Sequence, residues 1–329
     1  MIHDALYWES EGNKVRCFLC PHHCLIGNGK SGICSVRTNQ DGMLKTINYG
    51  EIASMSVDPI EKKPLYHFHP GKRILSVGTF GCNFICDFCQ NYSIAQFKGN
   101  SEFLPTEQLV ASCTTPRDNI GIAFTYNEPT IWFEYVLDAA KNLKEAYPDM
   151  KAVLITNGYI SEEALKDILP YIDAMNIDLK SSSNEYYKKI CGGALEPVKR
   201  TIETAYRYKC HIELTTLVVN GLNDSMDEID EISSWLSSID KSIPLHLSRY
   251  YPAYKMTRPA TDTEVMLQAR EKALKRLNYV YLGNMSNVDN STCCPECGEV
   301  LIERDVYSIK LHITEPVCPS CGSPVSIRL

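Results

Sequence analysis

Short apolar runs recur along the middle of the chain, each closed by a polar or glycine-containing stretch. They are ILSVGTF (74–80), IGIAFT (120–125), KAVLIT (151–156), AMNIDL (174–179), IELTTLVV (212–219) and IPLHLS (243–248), with a weaker run, YVYLG, at 279–283. Their length and β-branched content predict strands. Amphipathic stretches lie between them. One opens at Pro129, a favourable first helical position. Trp132, Tyr135, Val136, Ala139 and Leu143 follow on one helical face, and Pro148 ends the stretch. Another opens at Ser161, read as an N-cap, with Glu162 and Glu163 in its first turn and a stop near Pro170.

Strand and helix alternating about six times predicts a parallel sheet with crossover helices. A doubly wound sheet and a full or partial β/α barrel both fit. In either, ligands bind at the C-terminal ends of the strands. The composition shifts near residue 285, where NMSNVDNST leads into a last group of cysteines. The reading is an N-terminal cysteine-rich module at 1–70, a central domain at 71–285 and a C-terminal module at 286–329.

The 329 residues carry a formal charge of −7. That balance argues against a general grip on nucleic acid, which needs clustered Lys and Arg. No apolar run is long enough for a membrane span. The opening MIHDALYWESEGNK lacks a signal-peptide pattern. A cytoplasmic protein is expected.

Fifteen cysteines are many for a reducing compartment, and twelve fall in three groups. Short spacings there point to metal rather than disulfides. Cys294-x2-Cys297 and Cys318-x2-Cys321, each pair followed by Gly, read as a four-thiolate zinc ribbon. Cys17, Cys20, Cys24 and Cys34 supply four more thiolates. Spacing leaves zinc and an auxiliary iron–sulfur cluster open, leaning to zinc because the run lacks ferredoxin spacing. Cys113, Cys191 and Cys210 read as ordinary thiols. His67 and His69, in DPIEKKPLYHFHPG, alternate with aromatics as on an exposed strand.

The third group differs. GCNFICDFCQN places Cys82, Cys86 and Cys89 just after the first central strand. Three thiolates can hold a [4Fe–4S] cube by three irons and leave the fourth open to an outside ligand. The loop resembles the C-x3-C-x-φ-C signature of the radical S-adenosylmethionine (SAM) superfamily, with Phe88 as φ. The resemblance implies a partial β/α (TIM-like) barrel, a SAM cofactor on the open iron, and hydrogen abstraction after reductive cleavage. Phe88 would then pack on the adenine. Glu128 and Asn127, in TYNEP, stand where the family has a GGE-type motif, with Tyr126-Asn127 replacing Gly-Gly. Asn157 in TNG, Asp178 and Lys180 in DLK, and His246 in the last strand are the other expected cofactor contacts.

TNG, DLK and the His-bearing strand look like pyruvate formate-lyase activating enzymes and other glycyl-radical activases. Ile155 stands where those have a cation-binding Asp. CFLCPHHC, SGICSVR, DPIEKKPLYHFHPG and LHLSRYYP resemble the radical SAM enzyme of the AmmeMemoRadiSam system. This implies a partner of Memo or AMMECR type and a low-potential electron donor such as a flavodoxin or ferredoxin. A lateral gap left by six strands would admit a partner, docking partly on residues 60–71. The competing class is a non-catalytic iron–sulfur and zinc scaffold.

Overall fold

The computed structural model describes residues 2–305 and 308–329. Its centre is an eight-stranded sheet. In chain order the strands are β1 (Ser54–Pro59), β2 (Arg73–Gly78), β3 (Asn119–Phe124), β4 (Lys151–Thr156), β5 (Ala174–Asp178), β6 (His211–Val218), β7 (Leu245–Arg249) and β8 (Val280–Gly283). They lie side by side in that order, and β2 to β8 are parallel. The weak run at 279–283 is thus a full member. β1 pairs antiparallel with β2. Its polar, half-exposed SMSVDP gives almost no apolar alternation, so the pattern did not reveal it. It belongs to the central sheet although the sequence division assigns it to the N-terminal module. The outer strands β1 and β8 do not pair with each other among the described residues.

The predicted helix after β3 forms as a 3-10 turn, Pro129–Trp132, running into an α-helix, Phe133–Ala146. The five residues of its apolar stripe are all buried. The helix Glu162–Ile168 starts after Ser161 as expected, but the Ser161 hydroxyl caps nothing. Its backbone N–H instead donates to Leu19 O of the N-terminal module (2.9 Å). Among the described residues no helix is long and apolar enough to cross a membrane.

Side chains alternate across the sheet. Leu75, Val77, Ile122, Phe124, Leu154 and Leu214 join the larger core that includes the helices. The other face is divided along the strands. Near their starts, Ile74, Ala123, Val153 and Ala174 pack against Ile60, Leu65 and Phe68. Residues 60–68 are therefore a plug inside the sheet. They are not an exposed strand, because Ile60, Leu65, His67 and Phe68 are at most 1% exposed, and that expectation is corrected. Leu65 and Phe68 bury apolar area that the seven parallel strands alone would leave wet.

Glu213 of β6 holds the plug. It is fully buried and accepts from Tyr66 N (2.9 Å), His67 N (2.7 Å), His211 Nε2 (3.0 Å) and His246 Nε2 (2.7 Å). The C-terminal tail closes over it: Arg328 N donates to His67 O, and Arg304 Nη2 donates to Tyr66 O. His67 bonds Ser326 O and the Tyr281 hydroxyl through its two ring nitrogens. Burial pulls the His67 pKa down to about 3, against 6.5 for a free imidazole. The folded protein keeps His67 neutral where the unfolded chain protonates it. Stability is therefore expected to be full above pH 6.5 and to fall as the pH drops toward 3, by on the order of 1 kcal/mol per pH unit. Urea midpoints at pH 7.5, 6 and 5 would check this. A His67→Gln chain with an unchanged slope would show that another group is responsible.

Candidate functional site

The loops after β2 to β5, with Thr215 and Leu217 of β6, Ser248 of β7 and Lys62 and Lys63 of the plug, surround a cavity of about 570 Å³ at the C-terminal ends of the strands. Cys82, Cys86, Cys89, Phe88, Asn127, Glu128, Asn157, Asp178 and Lys180 all line it. Nine of the predicted cofactor and cluster residues, from four separate loops, are thus brought together. His246 is not. It lies two residues before the lining residue Ser248 on the same face of β7, at the depth of the plug, and bonds Glu213. A second cavity, lined by Lys199, Glu231 and Trp235, carries no cysteine.

Two asparagines fix the cysteine loop. Asn127 accepts from Thr79 N (3.1 Å) and donates to Gly81 O (2.8 Å). Asn157 donates to Asn83 Oδ1 (2.8 Å) and faces Cys82 Sγ at 3.8 Å. Glu128 is 1% exposed and accepts from Thr130 N (2.9 Å), Thr156 Oγ1 (2.7 Å) and Asn157 N (2.8 Å). Burial raises its pKa, and those three donors pull the other way. Its carboxyl therefore ties the loop after β3 to the loop after β4. Tyr126, just before this pair, has φ +71. That is a left-handed conformation glycine adopts freely and tyrosine does not.

On the opposite wall Lys180 donates to Asp178 (2.8 Å), and its ammonium lies 5.7 Å from the centre of the Phe88 ring. Burial lowers the Lys180 pKa, but the charges of Asp178 and Cys86 outweigh it and hold the ammonium protonated. The wall thus offers both signs of charge beside the three thiols.

Sequence reasoning passed over Cys191. It ends a π-helical turn, Tyr187–Cys191, and its thiol lies beside Cys86. The Cys191 thiol, together with the Lys180 charge and against burial, lowers the Cys86 pKa. Burial raises Cys82, and it carries Cys89 to about 11. The turn lies on the cysteine loop so tightly that a Cβ on Gly193 would come 2.2 Å from the Phe84 ring. Cys191 O accepts from Ile85 N (2.9 Å). A hundred residues separate Cys191 from Cys86, so no local spacing could have flagged it.

In the C-terminal module Cys294 Sγ and Cys321 Sγ are 3.7 Å apart, and Cys297 and Cys318 are 3.6 Å apart. All four sulfurs lie within 4.8 Å of one another. Sulfurs at ~2.3 Å from a tetrahedral centre would be ~3.8 Å apart, so the set fits one ion of that size. Gly298 and Gly322, at φ +78 and +76, each return an N–H to the first cysteine of their pair. Cys294→Ser is expected to speed protease cleavage within 286–329 by at least about 10-fold. The absorbance of a cluster on Cys82, Cys86 and Cys89 should not change. Loss of that absorbance would show that the two sites are one unit.

A radical SAM superfamily profile matches residues 76–236. The whole chain is 39% identical to an uncharacterized protein of Methanocaldococcus jannaschii, covering 100% of both. It is 27% identical over 215 residues to a protein of the same organism named "Putative glycyl-radical enzyme activating enzyme", covering 63% of this chain and 78% of that one. It is also 27% identical over 243 residues to a "Probable GTP 3′,8-cyclase" of Methanococcus aeolicus, covering 68% and 79%. Streptococcus suis SuiB bound to S-adenosylmethionine shares the fold with a TM-score of 0.51 at 13% identity, over 65% of this chain and 52% of that one. The class is therefore that of α/β proteins with a cysteine loop at the strand ends. The chain belongs to the radical SAM superfamily.

Proposed function

We propose that the protein is a radical SAM oxidoreductase with a [4Fe–4S] cluster on Cys82, Cys86 and Cys89. SAM bound at the open iron would supply, on one-electron reduction, the 5′-deoxyadenosyl radical that abstracts hydrogen from substrate. The observation that carries this reading is the convergence of three thiols, the Lys180–Asp178 pair and Phe88 on one cavity. Three cysteines with a vacant fourth position suit a cluster that binds a cofactor, as open sites do in other metal centres.

The chain's own residues bind and orient. Asn127, Glu128 and Asn157 hold the loops rigid, and the backbone beside Glu128 is left to meet the cofactor's amino group. Lys180 would meet its carboxylate, and Phe88 would pack on its adenine. The C-terminal four-cysteine site would hold zinc as a structural ion, in a ribbon beneath a partial barrel.

The reaction resembles that of glycyl-radical activases, and the likeness to an activating enzyme supports this. The equal identity to a cyclase supports a small-molecule substrate. A glycyl-radical EPR doublet in a partner protein would decide for the first. The resemblance of CFLCPHHC, SGICSVR and LHLSRYYP to the AmmeMemoRadiSam enzyme supports a cytoplasmic protein with Memo-type or AMMECR-type partners and a flavodoxin or ferredoxin as donor. The test is anaerobic reconstitution with SAM and dithionite, followed by mass spectrometry. 5′-Deoxyadenosine is expected. Intact SAM beside a fully reduced cluster would leave the non-catalytic scaffold.

A further inference from the structure

The four N-terminal cysteines converge on one cavity, although they are spread over 18 residues of chain. Cys17, Cys20, Cys24 and Cys34 line one small cavity with the apolar side chains of Leu19, Ile26 and Ile131. The C-terminal cysteines gather tightly enough for a single ion. Among the described residues the N-terminal four form no such group, and neither do Cys82, Cys86 and Cys89. Thiolates on separate irons of a cube stand further apart than thiolates on one ion. The N-terminal four, like Cys82, Cys86 and Cys89, are thus not gathered about a single-ion centre as the ribbon cysteines are.

A cation is already in place. Arg37 is 1% exposed, pairs with the buried Glu134, and holds Nη1 3.8 Å from Cys17 Sγ. Its Nε has no hydrogen-bond partner. Four thiolates in an apolar cavity need positive charge and N–H donors nearby, and sulfur-directed donors tune a cluster's potential.

The cavity also touches the catalytic loop. A Cβ on Gly81 would meet Cys34 O at 2.7 Å, and Cys82 is the next residue, one Cα step of ~3.8 Å away. His22 Nε2 bonds Asn83 O at 2.7 Å. Asn83 is in turn held by Asn157, which faces Cys82. Cys20 and Cys24 are partly exposed, whereas Cys17 and Cys34 are buried on the inner side.

We propose that Cys17, Cys20, Cys24 and Cys34 hold a second iron–sulfur cluster, which passes electrons from a donor protein to the cluster on Cys82, Cys86 and Cys89. A low-potential one-electron carrier of flavodoxin or ferredoxin class is oxidised by one electron at the solvent side. The N-terminal cluster is reduced by one and then reoxidised by the inner cluster. No bond breaks and no proton moves. The relay rests on the catalytic-loop reading, but the existence of the second cluster does not.

The full-length chain carrying Cys82→Ala, Cys86→Ala and Cys89→Ala separates the two. Reconstituted with iron and sulfide, it should retain about four irons and four sulfides per chain, with a cluster EPR signal on reduction. About one zinc per chain should remain in the ribbon. Two zincs and no sulfide would overturn the proposal. A Cys24→Ser variant, with the catalytic loop intact, should fall from about eight irons to about four. Its inner cluster should be reduced several-fold more slowly by a reduced flavodoxin, yet normally by dithionite. Unchanged iron would refute the site, and unchanged flavodoxin-driven reduction would refute the relay.

Discussion

Cys86→Ala is expected to lower 5′-deoxyadenosine formation by more than about 100-fold, a loss beyond that seen when only an outer partner of a metal ligand is removed. Two thiolates hold a four-iron cube poorly, and Cys86 is the best placed of the three. It is 7% exposed, adjoins the Cys191 thiol and shares its surroundings with Lys180. The SAM-induced change in the cluster's EPR spectrum should vanish while far-UV circular dichroism stays the same. Cys82→Ala and Cys89→Ala should behave alike. Because Cys191 adjoins Cys86, it is positioned among the described residues to replace it. Residual cleavage in Cys86→Ala that disappears in Cys86→Ala/Cys191→Ala would show that replacement. Full cleavage in the double variant would remove the cluster from this loop.

Glu213→Ala should destabilise the fold by about 3–5 kcal/mol, the range for breaking a buried charged network on one side. The native carboxylate accepts four hydrogen bonds, close to its full capacity. Truncation orphans two backbone N–H groups of the plug and two imidazoles. Against a total stability of about 5–15 kcal/mol, such a loss is a large fraction. Burial alone would raise the Glu213 pKa, but bonds from His211 and His246 outweigh it and hold the carboxyl far below its usual range. Its contribution is therefore present throughout pH 5–8 and is lost only in strong acid. Glu213→Gln keeps the shape and should lose less. A shift in urea midpoint for Glu213→Ala no larger than for an exposed Glu→Ala change would mean that the plug is not held here.

The regular parts of the chain were legible because a strand advertises itself locally. KAVLIT became β4 at its predicted limits, and the stripe from Trp132 to Leu143 became a buried helix face. The cysteine loop at the strand ends was legible for the same reason, since its three cysteines fall within eight residues and line one cavity. Asp178 and Lys180, two residues apart on a strand end, had to share a side, and they do. The His246 assignment failed at depth. Alternation gives the face of the sheet on which a side chain lies, but not how far along the strand the cavity begins.

The sequence by itself determined the parallel α/β order, the three groups of metal-suited thiols and the end of the strands where chemistry would lie. These follow from periodicity and from spacings of a few residues. Only the tertiary structure decided what depends on meetings between distant segments. The polar strand β1 and the plug at 60–68 draw their stability from partners elsewhere in the chain, so their own composition misleads. Cys191 reaches Cys86 across a hundred residues, and Gly81 meets Cys34 because both backbones bend there. Such contacts leave no local pattern, because the energy that fixes each of them is shared with the packing of the whole sheet.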